Sequence, residues 1–117
     1  METQEYEGWT NHETWATMLH IDNDEVLLDT ALDYARQELD GHDDGEEINV
    51  YHLGETIKSW IEDDLLTFEN IAGNPFRNIA GNHGLWLMLT DIGSLYRVNW
   101  REIAESLLQN ARENVNA

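Results

Sequence analysis

Apolar residues recur along this chain every three or four positions in five stretches, the spacing of one face of a helix. The first stretch, about 11–21, sets Trp15, Met18 and Leu19 on one side. Ahead of it, Thr10 and Glu13 have the spacing of a capping box, with Trp9 where a hydrophobic staple stands. Asp22, Asn23 and Asp24 then offer caps for a second helix, about 24–40. Its inward stripe is Leu28, Leu32, Ala35 and Leu39, with Ala31 alongside, and Gly41 ends it. A third, about 49–69, carries Leu53, Ile57, Trp60, Ile61, Leu65 and Phe68 on one face.

Residues 70–84 break that rhythm and predict a long loop. They include the only proline, Gly73, Gly81 and Gly84, and a short tandem repeat, Asn70-Ile-Ala-Gly-Asn74 and Asn78-Ile-Ala-Gly-Asn82. Such a loop either presents backbone donors to a partner or simply reverses the chain. The fourth helix, about 84–96, is apolar nearly all round, which suits a central helix or one with a face left for a partner. Asn99 caps a fifth, about 99–115, with Glu102 three residues on. Its stripe is Trp100, Ile103, Ala104, Leu107, Leu108, Ala111 and Val115. No strand pattern competes. The expected fold is all-α, a compact bundle of about five helices in one domain over 1–117.

Composition narrows the chemistry. The chain has no cysteine, so disulfides, thiolate metal sites and a thiol nucleophile are all excluded. Met1–Glu7 is acidic, unlike a secretory leader, and Leu85–Leu89 falls far short of the ~20 apolar residues that cross a bilayer. A cytoplasmic protein with no membrane partner is the expectation.

Charge changes the picture most. Residues 1–69 hold 20 Asp/Glu against Arg36 and Lys58, whereas residues 70–117 hold four acids and four arginines. The whole formal charge of −18 therefore belongs to the first three-fifths of the chain. That segment repels nucleic acid and anionic membranes and attracts a basic protein surface. One lysine among so many acids also resembles the proteins of salt-loving archaea, where molar salt screens self-repulsion within about 3 Å.

The candidate partner-binding residues are Glu25, Asp29, Asp33 and Asp40 on the second helix, with Glu55, Glu62 and Asp63 on the third. Glu25, Asp29 and Asp33 recur every four residues, so they stack at ~6 Å intervals along one edge. One reading is mimicry of a phosphate ladder. Helix two alone presents about one acid per 4 Å, however, against one charge per ~1.7 Å on duplex DNA. The third helix or a second subunit would have to add to it.

Asp40-Gly-His-Asp-Asp-Gly-Glu-Glu47 is a weak metal candidate through Asp40, Asp43 and Asp44. It fails as a calcium loop because the twelfth position is Tyr51 rather than a bidentate Glu. No cofactor is called for. His12, Glu13 and His20 would need a shared cleft to support catalysis, and no nucleophile motif accompanies them.

Two stretches carry a resemblance. The run Gly8-Trp9-Thr10-Asn11-His12-Glu13-Thr14-Trp15, followed by Leu19-His20-Ile21-Asp22-Asn23-Asp24, resembles the opening of a family of small uncharacterised proteins. These occur mainly in phages, plasmids and archaeal viruses or their hosts. The run from Val98-Asn99-Trp100-Arg101-Glu102 through Leu108 resembles that family's closing motif. His20 departs from the pattern, which commonly has Trp there. The resemblance implies a mobile-element setting and a helical fold whose two ends pack together, and no activity.

The sequence therefore leads to a non-enzymatic acidic protein that binds a basic, nucleic-acid-handling protein. The alternative is a salt-adapted helical module acting through self-association, as a homodimer, on the apolar fourth helix.

Overall fold

A computed structural model describes residues 6–41 and 48–115. Asn11, not Thr10, opens the first helix, α1 (His12–Asp22), and its side chain accepts the N–H and hydroxyl of Thr14 at 2.9 and 2.6 Å. The capping box expected of Thr10 and Glu13 does not form, because the Glu13 carboxylate turns to Arg97, 3.5 Å away. Asp24 caps α2 (Glu25–Asp40) by accepting the N–H groups of Val26 and Leu27, and Gly41 closes it. Asn49 caps α3 (Val50–Ser59) through the N–H of His52.

The predicted continuous helix over 49–69 is instead three pieces. From Trp60 to Leu65 the backbone widens into π turns, and the N–H of Leu66 donates to the carbonyl of Ile61 at 2.9 Å. The wider turn lets the adjacent Trp60 and Ile61 both face the core. It also throws Phe68 off the inward face, where it was expected, leaving that ring 84% exposed. Thr67 caps a new helix, α4 (Phe68–Ala72). The Asn70 amide donates to the carbonyls of Asp64 and Leu65, which the break would otherwise leave open.

The segment expected as an open loop is also built. The two copies of the Asn-Ile-Ala-Gly-Asn repeat lie against each other: Asn74 and Ile79 exchange N–H···O bonds of 2.8 and 2.9 Å, and Asn82 N–H reaches Ile71 O at 3.1 Å. A Cβ on Gly73 would lie 2.7 Å from the Gly81 nitrogen, so Gly73 has no room for a side chain, and one on Gly81 would lie 3.0 Å from the Ile71 carbonyl oxygen. At the tip, Asn74 caps the 3₁₀ turn Pro75–Arg77 and Asn78 adopts a left-handed φ of 59°. Asn82 caps α5 (His83–Ile92), which stops at Gly93 (φ +79°) rather than running to 96. A 3₁₀ turn, Leu95–Arg97, leads into α6 (Trp100–Val115).

The helix at the centre is α6. Its Ile103, Ala104, Leu107, Leu108 and Ala111 are at most 2% exposed, packed among α1, α2 and α3. At Gly54 the backbone of α3 comes so close that a Cβ would lie 3.2 Å from the Trp100 carbonyl oxygen. Helix α5, apolar on nearly every side, lies at the margin against α1 and α4. It buries Leu85, Met88 and Ile92 and leaves Trp86 and Leu87 about half exposed. The architecture is an all-α bundle with the C-terminal helix as its axis.

Candidate interaction surfaces

The two motifs at the chain ends are fastened to each other. Thr10 N–H donates to Glu102 Oε1 at 2.9 Å, Asn11 Nδ2 to the Arg97 carbonyl at 2.7 Å, and Asn99 N–H to Thr14 Oγ1 at 2.8 Å. Asn99 caps α6 by accepting the Glu102 N–H, while the Glu102 carboxylate serves the entry to α1 instead of its own helix. These side chains join two helix starts, which is structural work.

His12, Glu13 and His20 do not meet. His12 packs in an aromatic cluster with Tyr6 and Trp15, ring centroids 5.1 and 5.6 Å away. Glu13 pairs with Arg97, and His20 Nε2 lies 2.8 Å from Asp91 on α5. Among the described residues no three His, Asp or Glu side chains gather as ligands. Asp40 is exposed at the end of α2, whereas Asp43 and Asp44, with the rest of 42–47, lie outside the described residues.

On α2, Glu25, Asp29, Asp33 and Asp40 are all exposed. Among the described residues the row is paired to Arg36, 2.9 Å from Asp33. Tyr34 and Glu38 form the edge of α2 that meets the next elements: the Tyr34 ring packs tilted against Trp60, centroids 5.8 Å apart, and the Glu38 carboxylate lies 2.8 Å from His52. With about 100° of rotation per residue, the acidic row is turned well away from that edge. Glu55 belongs to the other side, a shallow groove of about 370 Å³ with Tyr34, His52, Trp60 and Asp64. Asp63 is exposed and Glu62 half-buried on the π segment. The row on α2 and Glu55 on α3 therefore do not merge into one face.

Sequence reasoning passed over the exposed aromatics. Phe76 is 98% exposed at the tip of the paired repeat, and Tyr96 is 95% exposed in the turn before α6. The Pro-Phe-Arg run between two Asn-Ile-Ala-Gly-Asn copies was a signal for the first, since a ring at the apex of a tight loop has nothing to pack on. A groove of about 250 Å³ lies between α5 and the α1–α2 turn, lined by Leu27, Leu85, Leu87 and Met88 with Asn23 and Asn82 at its rim.

The model of a family of unknown function (DUF7249) matches residues 2–72, which include the opening motif, α2 and α3 and end before the closing motif. No curated protein and no solved structure matches the chain.

Proposed function

The chain belongs to that family of unknown function, and we propose that it is a non-enzymatic acidic interaction protein of mobile-element origin that binds a basic protein surface in the cytoplasm. The observation that carries this reading is the exposed row Glu25, Asp29, Asp33 and Asp40 on a segment holding the entire net charge of −18. Such a field speeds encounter with a cationic partner and rejects nucleic acid and anionic lipid. The row is an expense to α2 itself, because like charges four apart on a helix cost a few tenths of a kcal/mol each. Glu25 gains at the positive end of α2 and Asp33 pairs with Arg36, so the cost falls chiefly on Asp29, and a cost retained there favours a role outside the fold.

A nucleic-acid-handling protein is the partner class that suits this charge, and the row occupies the part of its surface that a phosphate backbone would otherwise fill. The spacing of the carboxylates is sparser than that of duplex DNA, so the reading needs only overlap with the partner's phosphate contacts and no copy of the full ladder. The test is capture of basic proteins from a host extract at about 0.15 M salt by the wild type and by the triple variant Glu25→Lys, Asp29→Lys, Asp33→Lys. A specific basic partner, lost in the variant and displaced by DNA, is the expected result. Capture that survives charge reversal sinks the proposal.

A further inference from the structure

The groove between α5 and the α1–α2 turn has a volume of about 250 Å³, and Leu27, Leu85, Leu87 and Met88 give it an apolar floor. Leu27, Leu85 and Met88 are at most 9% exposed, so the bundle itself holds that floor in place. Leu87, 45% exposed on α5, stands clear of the core as one wall. Cavities of about 150 Å³ lined by such residues take a benzene ring, so the groove has room for one large apolar side chain.

The opposite wall carries charge of one sign. Asp22, Asn23, Asp24 and Glu25 form the α1–α2 turn, and all four are exposed. Asp24 lines the groove itself, with Oδ1 accepting the N–H groups of Val26 and Leu27. No lysine or arginine is among the lining residues, and His20, which does line it, is held by Asp91 at 2.8 Å. Burial already pushes the Asp22 carboxyl up, so a cation brought beside it relieves a cost that the free protein carries.

An apolar pocket bordered by carboxylates selects a ligand that is apolar at its centre and cationic at its flanks. A neutral apolar ligand uses the floor alone and leaves the carboxylates facing only water, whereas a basic segment uses both. We propose that this groove takes a basic segment of a protein partner. One large apolar side chain of the segment sits on Leu27, Leu85, Leu87 and Met88, and its flanking Lys or Arg groups lie against Asp22, Asp24 and Glu25. The proposal rests on the reading of the chain as a binder of a basic protein, and it adds where the apolar part of that partner goes. Glu25 is also the first member of the row on α2, so the groove and the row share a residue. The anchor supplies affinity that salt does not screen, and the charges speed encounter and fix direction.

The probes are two synthetic oligolysine peptides, one with leucine at its centre and one with glycine there, titrated into the full chain at about 0.1 M and about 1 M salt. Calorimetry gives the affinities, and amide shifts in the isotope-labelled chain give the place. The leucine peptide should bind about tenfold more tightly than the glycine peptide, the return from burying part of one leucine, with shifts at the Leu27, Leu85 and Leu87 amides. Both affinities should fall at high salt, where the screening length is about 3 Å, while the ratio between them holds. Leu87→Ala, which changes no charge, should remove most of that ratio and leave the affinity for the glycine peptide as it was. Asp22→Asn combined with Glu25→Gln should weaken both peptides at low salt. Equal affinity for the two peptides, a leucine preference that survives Leu87→Ala, rim variants without effect, or shifts that avoid α5 overturn the groove while leaving the acidic surface as a binder. A chain that takes up neither peptide overturns both readings. Shifts at Leu85 and Leu87 that move with the concentration of the chain alone place a second copy in the groove, and that outcome overturns the proposal as well.

Discussion

The Glu102 carboxylate accepts the backbone N–H of Thr10 at 2.9 Å, joining the start of α6 to the entry of α1 across 92 positions of chain. Each helix start depends on the other: Asn99, which caps α6, also donates its own N–H to the hydroxyl oxygen of Thr14 inside α1. Glu102→Ala leaves a part-buried N–H without its acceptor and should cost about 1–2 kcal/mol. The measurement is a urea midpoint with the m-value held as a control. Glu102→Gln, which keeps a side-chain oxygen, should recover more than half of the loss. Equal losses in the two variants would mean that the bond at Thr10 is not what Glu102 contributes.

That pairing marks how far a sequence discloses a fold like this one. The stripe of α6 was legible because one continuous periodicity, Ile103–Ala111, decides which face turns inward. On α2, Leu32, Ala35 and Ala31 were read correctly, but Leu27, which was not chosen, is the residue buried at its start, and Leu28 and Leu39 are only partly covered. The contact of the two ends was implied by resemblance. The exchange of caps was not, since Thr10 and Glu13 have the right spacing for a local box and only the approach of Arg97 and Glu102 diverts them. The π turn was hidden for a similar reason: Trp60, Ile61 and Leu65 read equally well as an α-helical stripe, and one widened turn moved Phe68 from core to solvent. The tandem repeat was seen, but its meaning lay in backbone bonds between its two copies. Of the candidate acids, the row on α2 followed directly from spacing. Its separation from Glu55 depended on which edge of α2 meets α3, a choice made by Tyr34 and Glu38.

Gly73 and Gly93 both have positive φ, +84° and +79°, but only Gly73 is crowded. Gly93→Ala should cost about 1–3 kcal/mol, the penalty of a positive-φ conformation (φ 79°, ψ −69°) that residues with a side chain rarely adopt. Gly73→Ala carries the same penalty plus a collision with Gly81 and the Ile79 carbonyl, so it should cost a further 1–3 kcal/mol, roughly the range for overpacking. Because the repeat holds the Phe76 tip, hydrogen exchange at the Asn74, Ile79 and Asn82 N–H groups should quicken in Gly73→Ala and stay unchanged in Gly93→Ala. Parallel behaviour of the two variants would show that the repeat is not held by its glycine contact.

Desolvation at the end of α1 raises the Asp22 carboxyl above its ordinary value, so the fold disfavours its charged form. The unfolded chain releases that proton first, and stability therefore falls as pH rises from the ordinary carboxylate value through the raised one. Above that window the cost is fully present. Asp22→Asn should stabilise the protein at pH 7 and make no difference below about pH 3, where both states hold the proton. Since Asp22 is exposed, solvent screening holds the gain to roughly a few tenths of a kcal/mol. Thermal melts of the pair at the two pH values read the difference, and a gain of equal size at both would assign it to something other than ionisation.

The acidic row on α2 makes a prediction in which stability and binding move in opposite directions. Asp29 has Glu25 four residues before it and Asp33 four after, and all three are exposed. Asp29→Lys replaces two repulsive pairs with two attractive ones and should stabilise the helix by about 1 kcal/mol at low salt. Glu25→Lys should gain nothing, because Glu25 occupies the first turn, where the positive end of the helix favours an acid by about 0.3–1 kcal/mol. Both differences should shrink at about 1 M salt. If the row serves to bind a basic partner, Asp29→Lys will hold that partner more weakly while being the better-folded protein, and the loss cannot be ascribed to unfolding. An Asp29→Lys variant that gains stability and binds as well as the wild type would leave the row without a role in recognition.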